Sequence, residues 1–166
     1  MSRLDVASLL LRSAIGGSIF LHGANKWRSR ASRNGTAAWF GSIGMRAPKL
    51  QAVLAAFTEM VAGLLLAIGL FVPSASAAIL ATMIVAVVVA HRRNGFFIFN
   101  EGQGWEYCAM LAIASLATAG LGGGRASLDN ALGIDYGGTW GFATAVILGF
   151  GGASIHLASS YRPQAN

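Results

Sequence analysis

Five apolar stretches, residues 4–22, 50–72, 74–91, 105–121 and 140–158, constrain this chain more than any other feature. Their lengths are 19, 23, 18, 17 and 19 residues. A hydrocarbon core of about 30 Å needs roughly 20 helical residues, with about 17 as the lower limit, so each stretch can span. Punctuation falls between them: Pro48 ahead of the second, Pro73 between the second and third, Asn94-Gly95 after the third, and Gly120–Gly124 after the fourth. The expectation is an all-α, polytopic transmembrane helical bundle, with a four-helix core and a fifth, glycine-rich transmembrane helix at 140–158. All of it forms one integral membrane domain, residues 1–166. Composition excludes the soluble alternative: only 11% of residues are charged, against about a quarter in soluble domains, and 55% are hydrophobic. One aqueous core of this size cannot bury so much apolar surface. Arg12 in the middle of the first stretch, with no A-x-A site after it, argues against a cleaved signal peptide.

The net charge of +6 invites a nucleic-acid reading, which placement removes. Lys26, Arg28, Arg30, Arg33, Arg46 and Lys49 lie in the first loop, Arg92 and Arg93 follow the third stretch, and Arg162 follows the fifth. If all five stretches span, these nine share one side, and Arg3 and Arg125 lie on the other. The positive-inside rule then places the N-terminus outside and the C-terminus in the cytoplasm of a multi-pass plasma (inner) membrane protein. The expected partner of the basic residues is membrane lipid, anionic lipid above all, and no nucleic acid. Within the first loop, Ala37–Phe40 and Ile43 suit either a short interfacial helix or a simple aromatic belt.

Two charges fall inside the spans. Arg12 is about 12 Å into the first and Glu59 about 14 Å into the second from the opposite side, so both are expected near the midplane. A lone charge there costs at least about 2.5–3.5 kcal/mol. Opposite signs at matching depth predict an intramembrane ion pair, Arg12–Glu59. It serves either as a polar centre for a proton or redox ligand or as a buried tie between two helices. Small residues flank both charges, Ser8 and Gly16 on one helix, Ala55 and Gly63 on the other. A further small-residue stripe, Ala145, Gly149 and Ala153, reads as a helix-packing face, with a partner subunit as one occupant.

A second polar group collects at the cytoplasmic end: His22 and Lys26 on one face of the first helix, His91 ending the third, Glu106 and Tyr107 opening the fourth. Phe96, Phe97 and Phe99 would lie over them. Imidazoles, a carboxylate and a phenol at a bundle mouth form a candidate quinone or ligand pocket, since quinone carbonyls need donors and reduction needs protons. The other reading is ordinary interface chemistry, with Lys26 snorkelling and Trp105 and Tyr107 in an aromatic belt. His22, His91 and Glu106 also make a two-His, one-carboxylate set, but no HxxxH or ExxH spacing puts ligands on one helix, so no metal is expected. His156 reads as a snorkelling or packed residue. The single cysteine, Cys108, excludes an intrachain disulfide and reads as packing.

Several ordered motifs carry a resemblance. They are Leu10-Leu-Arg12 with Phe20-Leu-His22-Gly23-Ala-Asn-Lys26, Trp39-Phe-Gly-Ser-Ile-Gly44-Met-Arg-Ala-Pro48, and Glu59-Met-Val-Ala-Gly63. His91 with Asn94-Gly-Phe-Phe97, Glu106-Tyr107 and Ser127-Leu-Asp129 continue the pattern. Over residues 9–133 the chain resembles the DoxX family of small bacterial and archaeal membrane proteins with a four-helix core. The family takes its name from a subunit of an archaeal thiosulfate:quinone oxidoreductase. The resemblance implies a redox- or quinone-linked role, though not thiosulfate as substrate. The chain carries no flavin, haem or iron–sulfur motif, so electrons would come from a partner, and quinone is the one cofactor class implied. The fifth apolar segment departs from the four-helix form and favours a component working with other membrane subunits. The competing expectation is a non-catalytic accessory subunit of a larger membrane complex. A carrier using Arg12 and Glu59 has less to recommend it, since no inverted repeat is visible.

Overall fold

The computed structural model describes residues 1–163, and three-quarters of the chain is helical, with no strand among the described residues. The elements are α1 (Arg3–Trp27), α2 (Arg30–Ser42), α3 (Pro48–Ile68), α4 (Val72–Ala86, continued by a π-helical turn Val87–His91), α5 (Glu106–Leu121), α6 (Leu128–Ala131) and α7 (Gly138–Ser160). Local chemistry sets their ends. Ser2 and Asp5 form a reciprocal capping box at α1, and Ser29 caps α2 by accepting from the Ser32 amide. Pro48 takes the first position of α3, where a missing amide hydrogen costs nothing.

The α3–α4 turn is only Gly69-Leu70-Phe71, and two of its residues are left-handed, Gly69 at φ 71° and Phe71 at φ 51°. Glycine takes that conformation freely; phenylalanine does not, and something must hold it there. The holder is Asp129, fully buried on α6, whose carboxylate accepts from the Phe71 amide (2.7 Å) and the Val72 amide (2.9 Å). The Asp129 amide in turn donates to the Gly69 carbonyl at 2.8 Å.

Helices α1, α3, α4 and α5 enclose the main core, which includes Ile15, Ile19, Leu66, Val72, Ile79, Met83 and Cys108. α1 and α3 approach almost backbone to backbone: a Cβ at Gly63 would lie 2.5 Å from the Phe20 nitrogen and 2.6 Å from the Gly16 carbonyl oxygen. α7 lies outside this four-helix core, against α4 and α5, around Ala77, Ala119 and Ala145. Four helical segments, α1, α3, α4 with its π turn, and α7, are long and apolar enough to cross a membrane, at 25, 21, 20 and 23 residues. α5 has 16 residues and a length of about 24 Å, so it is shorter than a full span. The loop before it folds back on its start, where the Glu106 amide donates to the Phe96 carbonyl (2.9 Å) and Phe96 packs edge-on against Trp105.

Of the two readings of Ala37–Phe40 and Ile43, a short helix or an aromatic belt, the chain forms a helix, α2, which begins earlier, at Arg30, and ends at Ser42. The small-residue stripe of α7 faces inward. Ala145 and Ala153 are buried, and a Cβ on Gly149 would clash with Leu80 of α4. The stripe is thus a helix-packing face, and its occupant is α4 of the same chain rather than a partner subunit, because the missing side chains let the two helices close on each other.

Candidate functional site

The two ends of the bundle differ in chemistry. One end gathers α2, the π turn, the loop Asn94–Trp105 and the C-terminal residues, where the Arg46 amide donates to the Ser160 carbonyl and the Arg162 amide to the Gly44 carbonyl. Lys26, Arg28, Arg30, Arg33, Arg46, Lys49, Arg92, Arg93 and Arg162 lie on or beside these elements. The other end carries the N-terminus, the glycine loop and α6.

At the basic end, α1 does not stop at residue 22 but runs to Trp27, and this brings Lys26 into the helix. Gly23, one turn earlier, lets α3 come close; a Cβ there would sit 2.6 Å from the Ala56 carbonyl oxygen. The approach seats Lys26 Nζ against both carboxylate oxygens of Glu59, at 2.9 and 2.6 Å. The Glu59 side chain is 7% exposed and that of Lys26 is 23% exposed. This is the one ion pair among the described residues.

The expected Arg12–Glu59 pair therefore does not form. Register is the reason: Gly16 lies against Gly63, Gly23 against Ala56 and Glu59, and Arg12 against Ala67, so Glu59 falls more than two turns along α1 from Arg12. Arg12 is fully buried and donates to the carbonyls of Ala67 (3.0 Å) and Ala126 (2.8 Å), with its Nε unpartnered. It is the centre of a polar knot at the opposite end. There Ser8 Oγ donates to the Gly122 carbonyl (2.7 Å), Asp5 accepts from the Arg125 amide (2.9 Å), and Asp135 accepts from the Gly123 amide (2.9 Å). Arg12 thus ties α1 to the α3 terminus and the glycine loop. Asp5, Asp129 and Asp135 were missed as structural residues at the sequence level, since each acts on a backbone amide far away in sequence.

The five residues proposed for one pocket separate into three groups. Lys26 is held by Glu59. His91 Nδ1 lies 2.9 Å from the Gln103 carbonyl, and Asn94 binds the Gly102 and Gln103 carbonyls (2.7 and 3.0 Å), so His91 organises the loop. Glu106 turns to the same loop and accepts from the Ile98 amide at 3.1 Å. His22 and Tyr107 do meet, with the Tyr107 hydroxyl 3.1 Å from His22 Nε2. The same hydroxyl lies 3.0 Å from Ser18 Oγ. Ser18 and His22 are four residues apart, on one face of α1, and α5 presents Tyr107 to both. The result is an exposed hydrogen-bonded chain, Ser18–Tyr107–His22, on the seam between α1 and α5. Ser18 went unnoticed at the sequence level; its only signal was the four-residue spacing from His22. No group of three His, Cys, Asp or Glu residues among the described residues is arranged to hold a metal.

His156 Nε2 lies 2.8 Å from Gln51 Oε1, joining α7 to α3. Chemically, the α1–α5 seam offers a hydroxyl and an imidazole side by side on a surface otherwise made for lipid.

Comparison with known proteins agrees with this architecture. A protein of Bacillus subtilis (strain 168) named "Putative oxidoreductase CatD" is 29% identical over 116 residues, covering 70% of this chain and 81% of that protein. No solved structure matches the chain. The DoxX family model matches residues 7–92, from the Arg12-bearing helix α1 through the π turn, and the chain belongs to the DoxX family of membrane proteins.

Proposed function

We propose that this protein is a redox-linked membrane component that binds a quinone-type headgroup at the α1–α5 seam and works with a partner that supplies electrons. The observation that carries the reading is the Ser18–Tyr107–His22 chain. A quinone carbonyl accepts a hydrogen bond from a phenol or an imidazole N–H, and its apolar tail favours the lipid beside the seam. His22 is the one imidazole in the chain of contacts, so it is the group suited to pass a proton to the bound oxygen. The oxidoreductase name of the Bacillus relative supports a redox setting. In this reading the basic end faces the cytoplasm, in line with the positive-inside rule, and the His22–Tyr107 pair lies toward that side.

Binding of a short-chain benzoquinone to the protein in lipid nanodiscs, followed by tryptophan quenching, tests this. Tyr107→Phe and His22→Ala should each weaken binding about 3- to 10-fold, the worth of one hydrogen bond. Lys49→Ala should leave it unchanged. Binding no stronger than to empty nanodiscs, or equal in all four proteins, overturns the proposal.

A further inference from the structure

A second site stands on the other side of α5, independent of the quinone reading. Between α4, α5 and α7 runs a cleft of about 310 Å³ with wholly apolar walls, lined by Leu80, Ile84 and Val88 of α4, Cys108 and Ala112 of α5, and Phe150 of α7. Its rim residues Ile113 and Phe150 are 63% and 53% exposed, so it opens on the lipid-facing surface. From Leu80 to Val88 is about 12 Å, against about 15 Å for the hydrocarbon of one leaflet. Val88 is also a wall of a polar cavity of about 230 Å³, whose other walls include Arg92, Arg93, Asn94 and Tyr161.

The π turn joins the two. The Arg92 amide donates to the Val87 carbonyl at 2.8 Å, a five-residue step, which carries Arg92 and Arg93 above Val87 and Val88. Neither arginine pairs with a carboxylate among the described residues. Two guanidinium groups lining a polar cavity, with Val88 shared between that cavity and an apolar cleft about 12 Å long, match the two halves of one molecule. We infer that this is a site for an anionic phospholipid, with its phosphate on Arg92 and Arg93 and one acyl chain in the α4–α5–α7 cleft. Guanidinium groups bind phosphate oxygens with charge-assisted, forked hydrogen bonds. A zwitterionic phospholipid brings a choline cation with its phosphate and so offers the two arginines no net charge, and a phosphate without a chain would leave the cleft unused.

The test is native mass spectrometry of the protein released from nanodiscs of equal phosphatidylglycerol and phosphatidylcholine. One phosphatidylglycerol should be retained per chain, preferred about 10- to 30-fold over phosphatidylcholine. Arg92→Ala with Arg93→Ala should abolish the preference, whereas Arg28→Ala with Arg30→Ala, the same charge change at the same end, should preserve it. Ile113→Trp, at the open rim where bulk is tolerated, should lower retention. Equal loss in the two double variants would mean diffuse surface attraction and overturn the site. So would equal retention of both lipids, displacement by millimolar inorganic phosphate alone, insensitivity to Ile113→Trp, or a lipid-free dimer.

Discussion

Lys26 and Glu59 show how unequal burial makes a symmetrical contact asymmetric in its energetics. Removing one member of a buried pair strands the other, at about 3–5 kcal/mol when the remaining charge is fully enclosed. Here the carboxylate is the enclosed partner and the ammonium reaches the surface. Lys26→Met should therefore destabilise the protein by about 3 kcal/mol, and Glu59→Gln by clearly less, because a freed lysine can snorkel. The double variant should recover part of the Lys26→Met loss. Thermal midpoints in detergent check the order; equal losses for the two single variants would contradict it. Asp129 offers a second residue-scale prediction. Asp129→Ala leaves two amides at the start of α4 without acceptors and removes what holds Phe71 left-handed. A loss of about 3 kcal/mol or more is expected, taking about 1.5–3 kcal/mol for each hydrogen bond to a charged group. Phe71→Gly, placed in that background, should restore part of it by relieving the turn.

At the scale of elements, the bundle is held by where side chains are missing. Gly16, Gly23 and Gly63 set the α1–α3 distance, and with it the register that gives Glu59 to Lys26 and not to Arg12. Gly63→Ala would place a methyl group against two backbone atoms of α1, so the helices must part, at about 1–3 kcal/mol. Gly17, next to Gly16 on α1, faces open space, and Gly17→Ala should instead stabilise α1 by about 0.5–1 kcal/mol. Opposite signs for Gly63→Ala and Gly17→Ala in one stability series would verify the interface; equal signs would refute it. The π turn belongs to the same scale. It widens the end of α4 through His91, just before the two arginines, and no periodicity in Val87–His91 announces it.

For the whole molecule, the proposed orientation makes a prediction of its own. In a Cys108→Ala background, Ser29→Cys should resist a membrane-impermeant thiol reagent in intact cells, and Arg125→Cys should react; the reverse pattern would invert the proposed topology. The sequence by itself determined the class. Helix length, low charge and the Pro and Gly breaks leave a helical membrane bundle as the fold, since unpaired backbone groups cannot face lipid. It also marked Arg12 and Glu59 as charges inside apolar helices, and His22 and Tyr107 as polar groups at the bundle mouth. Their partners were not legible. Hydropathy ends a helix where apolar residues stop, but α1 continues to Trp27 because Gly23, Asn25 and Lys26 remain helical at the interface, and those extra turns carry Lys26 to Glu59. Depth counted from span edges put Arg12 and Glu59 level, whereas glycine contacts set the register two turns away from that match. Only the tertiary structure decided which polar groups meet, because pairing depends on how closely two backbones can pack, and that distance is set jointly by residues on both helices.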